Sequence, residues 1–201
     1  MSERLTSVVL ATTNRGKLAD FRLLLAEAGI DVTVPADHGL ELEVDETGDT
    51  FVANALLKAH AYAERLDVAV LADDSGLAVD ALGGAPGVSS ARYAGEPCDD
   101  DANNAKLLRE LDGVDDRRAA FVCALALVLP DGTEVVEEGR CDGTITHEVR
   151  GSAGFGYDVL FFRDDLGRTF GESTPDEKNA RSHRGAAVRA LVARLRREGR
   201  V

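Results

Sequence analysis

The sequence predicts an α/β fold carrying a β hairpin. Two patterns point to it. In the first half, apolar runs of strand length alternate with stretches whose apolar residues recur at helical spacing. In the second, a long apolar run at 121–129 turns at Asp131-Gly132 into residues 134–138, as two strands joined by a tight turn would. A chain of 201 residues with 44% hydrophobic content can bury a real core. It is expected to form a single domain over 1–201, either ordinary or built as two tightly packed lobes.

Taken in order, Val8-Val9-Leu10-Ala11 reads as a short buried strand. Thr12-Thr13-Asn14-Arg15-Gly16-Lys17 follows, then a helix with Leu18, Phe21, Leu25 and Ala28 on one face, stopped by Gly29. A second helix follows Thr47-Gly48-Asp49-Thr50, capped by Asp49 or Thr50. Its Phe51, Ala55, Tyr62 and Leu66 keep helical spacing, while Asn54 and Lys58, four apart, share another face. Residues 68–72 form a strand that delivers Asp73 and Asp74 to its end and breaks at Gly76. Residues 99–111 form a helix with an acid-rich start.

Past the hairpin, 144–149 reads as a strand, and residues 151–158 as a glycine-rich loop before a strand at 159–162. Glycines at that density let a backbone approach a ligand closely. Thr174-Pro175-Asp176-Glu177 combines an N-cap Thr, Pro at the first helical position and Glu at the third, a capping box. Ser182 opens a further helix, whose Val188, Leu191, Val192 and Leu195 keep an amphipathic period.

Thirty-six acidic residues against twenty-three basic ones give a net charge of −13, which opposes nonspecific binding to DNA, RNA or anionic lipid. No apolar stretch approaches the ~18 residues of a membrane span. Met1 to Thr6 lacks the charged start and apolar middle of a secretory signal, so cytoplasmic residence without a membrane is expected. Cys98, Cys123 and Cys141 are odd in number and far apart, which suggests packing residues rather than a disulfide framework or zinc site.

The chemistry centres on Asp73 and Asp74. Successive strand side chains face opposite ways, so one carboxylate can point into a cleft while the other braces the backbone. Paired acids at a strand end hold a metal or activate water; the alternative is an Asx-type turn that caps loose N–H groups. Thr12 to Lys17 joins a strand to a helix N-terminus, where unpaired N–H groups and the dipole favour an anion. It is not a P-loop, because Ala11 and Leu18 stand where that pattern needs Gly and Ser or Thr.

The chain has four lysines, Lys17, Lys58, Lys106 and Lys178, against nineteen arginines. A compact point charge suits a phosphate or carbonyl oxygen. His183 and Arg184 stand at a helix start, where cations oppose the macrodipole by roughly 0.3–1 kcal/mol each. They read either as meeting an electron-rich ligand or as a solvated basic turn. Phe155 and Tyr157 can stack on a base or simply pack. His38, His60 and His147 have no partner spacing and read as surface or core fillers.

Several separated segments recur together: Thr12-x-Asn14-x-x-Lys17, Glu46-Thr47-Gly48-x-Thr50-Phe51-x-x-Asn54-Ala55-x-x-Lys58, Ala72-Asp73-Asp74-Ser75-Gly76-Leu77, Leu82-Gly83-Gly84-x-Pro86-Gly87, Phe155-Gly156-Tyr157-Asp158, and Glu177-Lys178-x-x-x-Ser182-His183-Arg184-Gly185. With these in this order the chain resembles, over nearly its whole length, the inosine/xanthosine triphosphate pyrophosphatases, or non-canonical purine NTP diphosphatases. The resemblance implies a mixed, twisted central β-sheet flanked by helices, with two lobes around an active-site cleft. It also implies a homodimer, Mg²⁺ as cofactor and a purine nucleoside triphosphate as substrate.

Residue by residue, the resemblance makes Thr12, Thr13, Asn14, Arg15, Gly16 and Lys17 a triphosphate loop. Asp74 matches the proton acceptor and a magnesium ligand, with Ser75 beside the substrate. Asp45 and Glu46 fall where the family places a further metal carboxylate, and one sequence does not choose between them. Phe155, Gly156, Tyr157, Asp158, Lys178, His183 and Arg184 match the base and sugar pocket. Thr13 stands where glycine is common, and Val159 where proline usually follows the aspartate.

The implied reaction is hydrolysis of ITP, dITP or XTP to the monophosphate and pyrophosphate. Lys17, Lys58 and the loop N–H groups would stabilise the departing group. Lys178 and Arg184 can donate but never accept, which suits the oxygen of hypoxanthine or xanthine where adenine carries an amine. The alternatives are another nucleotide hydrolase or phosphatase on a related α/β scaffold, or a noncatalytic nucleotide-binding protein.

Overall fold

A computed structural model describes residues 4–201; the first three residues of the Met1 to Thr6 stretch lie outside the described residues. The strands are β1 (Ser7–Leu10), β2 (Asp31–Thr33), β3 (Val70–Val79), β4 (Arg118–Val128), β5 (Glu134–Ile145), β6 (Phe161–Arg163) and β7 (Arg168–Thr169). They form one seven-stranded sheet in the order β2-β1-β3-β4-β5-β6-β7. The sheet is mixed: β1 runs parallel to β2 and β3, whereas β6 is antiparallel to β5 and β7. The α-helices are α1 (Arg15–Ala26), α2 (Phe51–Ala63), α3 (Asp100–Glu110), α4 (Pro175–Arg181) and α5 (His183–Arg197). None among the described residues is long and apolar enough to cross a membrane.

The chain divides into two compact units. The first takes the chain up to Asp74, with Cys123–Gly139 and His183–Val201; the second takes Ser75–Val122 and Arg140–Ser182. In the first unit, alternate sheet residues face opposite layers of helix, as the pleat requires. Val8, Leu10, Leu71, Leu125 and Leu127 pack with Phe21 and Leu25 of α1 and with Val188, Leu191 and Leu195 of α5. Val9, Val70, Ala72, Ala124 and Ala126 pack with Ala55, Ala59 and Tyr62 of α2. The second unit has its own core, in which Phe121, Phe161 and Phe170 stack among Leu77, Leu107, Leu111 and Tyr157.

The expected helices form, and their caps explain where they start. Asn14 caps α1 and Thr50, rather than Asp49, caps α2. Thr174 and Glu177 make the reciprocal capping box of α4, with Pro175 at its first position. Three strand expectations are corrected. β3 does not break at Gly76 but runs on to Val79, because Leu77 and Val79 resume the apolar alternation and are fully buried in the second unit. The two acids therefore lie inside a strand, and the Asx-turn alternative falls.

β5 is one long strand rather than a hairpin arm at 134–138 and a separate strand at 144–149. The residues expected to open the 159–162 strand instead close a short 3-10 turn, Gly156–Val159, before β6. Cys123 and Cys141 are buried as expected of packing residues, but Cys98 is exposed.

Gly139 shows why β5 passes so close to α5. A Cβ built there would lie 2.1 Å from the His183 carbonyl oxygen and 2.5 Å from the Ala187 nitrogen. Gly139→Ala is expected to destabilise the protein by roughly 1–3 kcal/mol through forced overpacking. At about 2–4 °C per kcal/mol for a chain of this size, calorimetry resolves the fall in Tm. An unchanged Tm would contradict this packing.

Candidate active site

The alternation that builds the first unit also sorts its two acids. Asp73 continues the row of Leu71 and meets α1 and α5: its Oδ2 lies 2.9 Å from Lys17 Nζ and 4.0 Å from Arg184 Nε. Arg184 Nη1 is also 3.4 Å from Asp20 Oδ2, one turn along α1 from Lys17. Asp74 continues the row of Val70 and Ala72 and meets α2, where Asn54 Nδ2 donates to its Oδ2 at 3.0 Å. Asn54 Oδ1 accepts from the Gly48 N–H at 2.7 Å, and a Cβ on Gly48 would sit at that same distance from it. Lys58, a helical turn beyond Asn54, donates to Glu46 Oε1 at 2.9 Å.

Asp20, Asn54, Lys58, Asp73, Asp74 and Arg184 are buried, so the charges among them matter more than on a surface. Burial opposes ionisation of Asp73, yet Lys17 and Arg184, with Lys58 behind them, outweigh it and hold the carboxyl below its ordinary range. Burial dominates at Asp74 and pushes its carboxyl up, assisted by the negative charge of Glu46 and opposed by Lys58, Asn54 and Lys17. Burial works to lower the Lys58 pKa, but Asp73, Glu46 and Asp74 more than reverse it. One acid is thus locked as an anion under two cations. Its neighbour is poised to hold a proton more readily than an ordinary aspartate, which suits a general base.

The Thr12–Lys17 loop leads into the first turn of α1. Asn14 Oδ1 accepts from the Lys17 N–H at 3.0 Å, and Thr12 Oγ1 from the Asn14 N–H at 3.2 Å. Thr13, Asn14 and Arg15 are exposed, and Thr12, Gly16 and Lys17 partly so. A 12-residue helix thereby presents its positive end beside a lysine already drawn to Asp73. His183 and Arg184 open α5 and are only 1% and 5% exposed, so a solvated basic turn is excluded.

The second unit brings Phe155, Gly156, Tyr157, Asp158 and Lys178 together. Lys178 Nζ donates to Asp158 Oδ2 at 2.7 Å, both side chains being buried, and lies 4.7 Å from the Phe155 ring centroid. Asp158 Oδ2 also accepts from the Phe155 N–H at 2.9 Å. Tyr157 is set into the core, with its hydroxyl donating to the Ser90 carbonyl at 2.9 Å. Ser75 is half-buried on β3, directly after Asp74. Arg184, grouped with Lys178 by the resemblance, has ion pairs with Asp20 and Asp73 in the first unit.

For a metal, Asp74 and Glu46 supply hard oxygen atoms, and Glu46 is close enough to raise the Asp74 carboxyl, whereas Asp45 is exposed. Among the described residues no three His, Cys, Asp or Glu side chains gather as a metal cage. That donor set fits Mg²⁺, which is characteristically held by one or two carboxylates plus substrate phosphates and water. Sequence reasoning did not choose between Asp73 and Asp74 for the cleft, and gave no role to Asp20 or Asn54. The signals were present in the parity of Asp73 with Leu71, the spacing of Asp20 from Lys17, and the i,i+4 pairing of Asn54 with Lys58.

Fold and site together define a mixed-sheet α/β protein whose central strand splits a buried acid pair between two basic helix layers. The chain belongs to the Ham1 family, whose profile it matches over residues 8–194. It is 51% identical to the dITP/XTP pyrophosphatase of Geobacillus kaustophilus over 92% of this chain and 91% of that one. It is 50% identical to that of Streptomyces coelicolor, over 96% and 98%. Among solved structures it resembles the Ham1 protein of Staphylococcus aureus, with a TM-score of 0.86, 41% identity, and 96% and 99% coverage.

Proposed function

We propose that this protein hydrolyses purine nucleoside triphosphates bearing hypoxanthine or xanthine, ITP, dITP and XTP, to the monophosphate and pyrophosphate. The observation that carries the reading is the opposite fate of adjacent carboxylates, Asp73 fixed as an anion by Lys17 and Arg184 and Asp74 raised by burial. The relatives' names supply the substrate class. Asp74, steadied by Asn54, orients the attacking water and takes its proton. Lys17, Lys58 and the first N–H groups of α1 receive the charge that develops on the departing pyrophosphate. Arg15 and Gly16 carry the first of those N–H groups, Thr12, Thr13 and Asn14 lead into them, and Arg184 and His183 add positive charge from α5.

Asp74 and Glu46 would hold Mg²⁺, which when bound neutralises phosphate charge and polarises water. Of the two acids the sequence left open, Glu46 is the better placed, through Lys58. Phe155 offers a ring face to the base, and Lys178, oriented by Asp158, offers a donor that cannot become an acceptor. Gly156 and Tyr157 shape that turn, and Ser75 lies beside the reacting group. The protein is further taken to be a homodimer, which the family resemblance supports, and to reside in the cytoplasm, as the sequence leads us to expect.

Initial rates on ITP, XTP, ATP and GTP test the reading. The kcat/KM for ITP and XTP is expected to exceed that for ATP by on the order of a hundredfold or more, because an adenine amine would face a donor in a desolvated pocket. Comparable rates on ATP and ITP would contradict it.

A further inference from the structure

In the second unit, α3 grips both polar groups of a single residue in the Phe155–Asp158 turn. The Gly156 N–H donates to Asp100 Oδ2 at 2.7 Å, and Asn104 Nδ2 donates to the Gly156 carbonyl oxygen at 2.9 Å. Asp100 and Asn104 are four apart and so share one face of the helix. Gly156 has a φ of 60°, in the left-handed region that glycine enters freely and also leaves freely. Asp158 closes the turn around it through the Phe155 N–H, and the two bonds from α3 are what engage the polar groups of Gly156 itself.

Asn104 has a second telling feature. It is 4% exposed, and its buried Oδ1 has no hydrogen-bond partner among the described residues. An unpaired buried acceptor costs stability, and a leucine of similar shape would avoid that cost. The amide is thus poorly matched to its site except for the one bond it makes to Gly156. Residues that break a stability rule in this way are expected near function.

We propose that Asp100 and Asn104 are positioning residues for base recognition. By clamping Gly156 they fix the angle at which Phe155 presents its ring and Asp158 presents Lys178. The inference rests on the proposed function, in which that turn receives the purine. The groups assigned to the phosphates are other residues, so the clamp is expected to act on the affinity for the base and to leave the handling of the polyphosphate unchanged.

The variant Asn104→Leu keeps the side-chain shape while removing both the donor and the unpaired acceptor, and water can reach the carbonyl of half-buried Gly156. It is expected to melt at or above the wild-type Tm. Loss of one ordering hydrogen bond should raise KM for ITP and weaken binding of IMP, read by calorimetry, by about tenfold each. The kcat should stay within about twofold, and inhibition by tripolyphosphate, which probes the phosphate side alone, should not move. Asp100→Ala should behave like Asn104→Leu, whereas Asp100→Asn, which retains an acceptor, should recover most of the IMP affinity.

Wild-type IMP affinity in both Asn104→Leu and Asp100→Ala overturns the clamp. So does equal weakening of IMP and tripolyphosphate together with a lowered Tm, which assigns the pair to the fold alone. A wild-type protein that releases no pyrophosphate from ITP overturns the proposed function instead, so the two failures are told apart in one set of measurements.

Discussion

Asp74→Asn is expected to lower pyrophosphate release from ITP by about a thousandfold or more, as loss of a general base does, while making the metal-free protein more stable. Asparagine keeps an oxygen that accepts from Asn54 Nδ2, so the contact to α2 survives. What it loses is the charge. In the folded protein burial raises the Asp74 pKa above its ordinary 3.8. A carboxyl shifted upward binds its proton more tightly folded than unfolded, so it favours folding most when protonated and progressively opposes it as pH rises through the raised value.

At neutral pH the ionised group is therefore a standing cost, which the asparagine removes. In EDTA, the Tm of the variant should exceed that of wild type at pH 7, and the gap should close toward pH 4. A variant that turns over ITP, or that melts lower than wild type at pH 7, contradicts the role of Asp74. Stability given up at a reacting group is the ordinary signature of an active site.

Asp73→Asn is expected to do the reverse. Lys17 and Arg184 lean on this carboxylate from two helices, and it is 1% exposed. Neutralising it removes the counter-charge of Lys17 and leaves Arg184 with Asp20, a loss of about 3–5 kcal/mol for breaking a buried pair. For a chain of this size that is a fall in Tm of roughly 10 °C. The Asp73 pKa is held below its ordinary 3.8, so its contribution is complete above that value and disappears as pH falls through the lowered one.

The gap between wild type and Asp73→Asn should therefore be widest at neutral pH and narrow only in acid. Neighbouring aspartates, changed identically, should shift Tm in opposite directions. A common direction would show that the strand does not sort them as described.

Much of this was legible in the sequence, and the reasons are local. Asn14, Thr50 and Thr174 cap helices where their side chains reach back to N–H groups two or three residues on, which is short-range geometry. The Asp73-Asp74 pair, the Thr12–Lys17 loop and Lys58 stood out because strand and helix periods place them. β3 was cut short because Gly76 reads as a break; only the distant partners of Leu77 and Val79 in the second core keep the strand going.

Gly139 and Gly143 lie within β5, between the two stretches read as separate strands. Each allows a close approach, to His183 and to Phe161, that no local pattern announces. Arg184 was grouped with Lys178 by the family resemblance; that α5 also brings it to Asp20 and Asp73 is long-range packing with no local signal. Asp100 and Asn104 act on Gly156 from more than fifty residues away, beyond any periodic signal.

The central claim is that Asp74, backed by Asn54 and flanked by Lys58 and Lys17, directs water to the phosphoanhydride that frees pyrophosphate. Incubating the protein with ITP and Mg²⁺ and resolving the phosphorus products by ³¹P NMR tests it most directly. The account predicts equal amounts of IMP and pyrophosphate with no orthophosphate. Release of orthophosphate with IDP, or binding of ITP with no product, would contradict it.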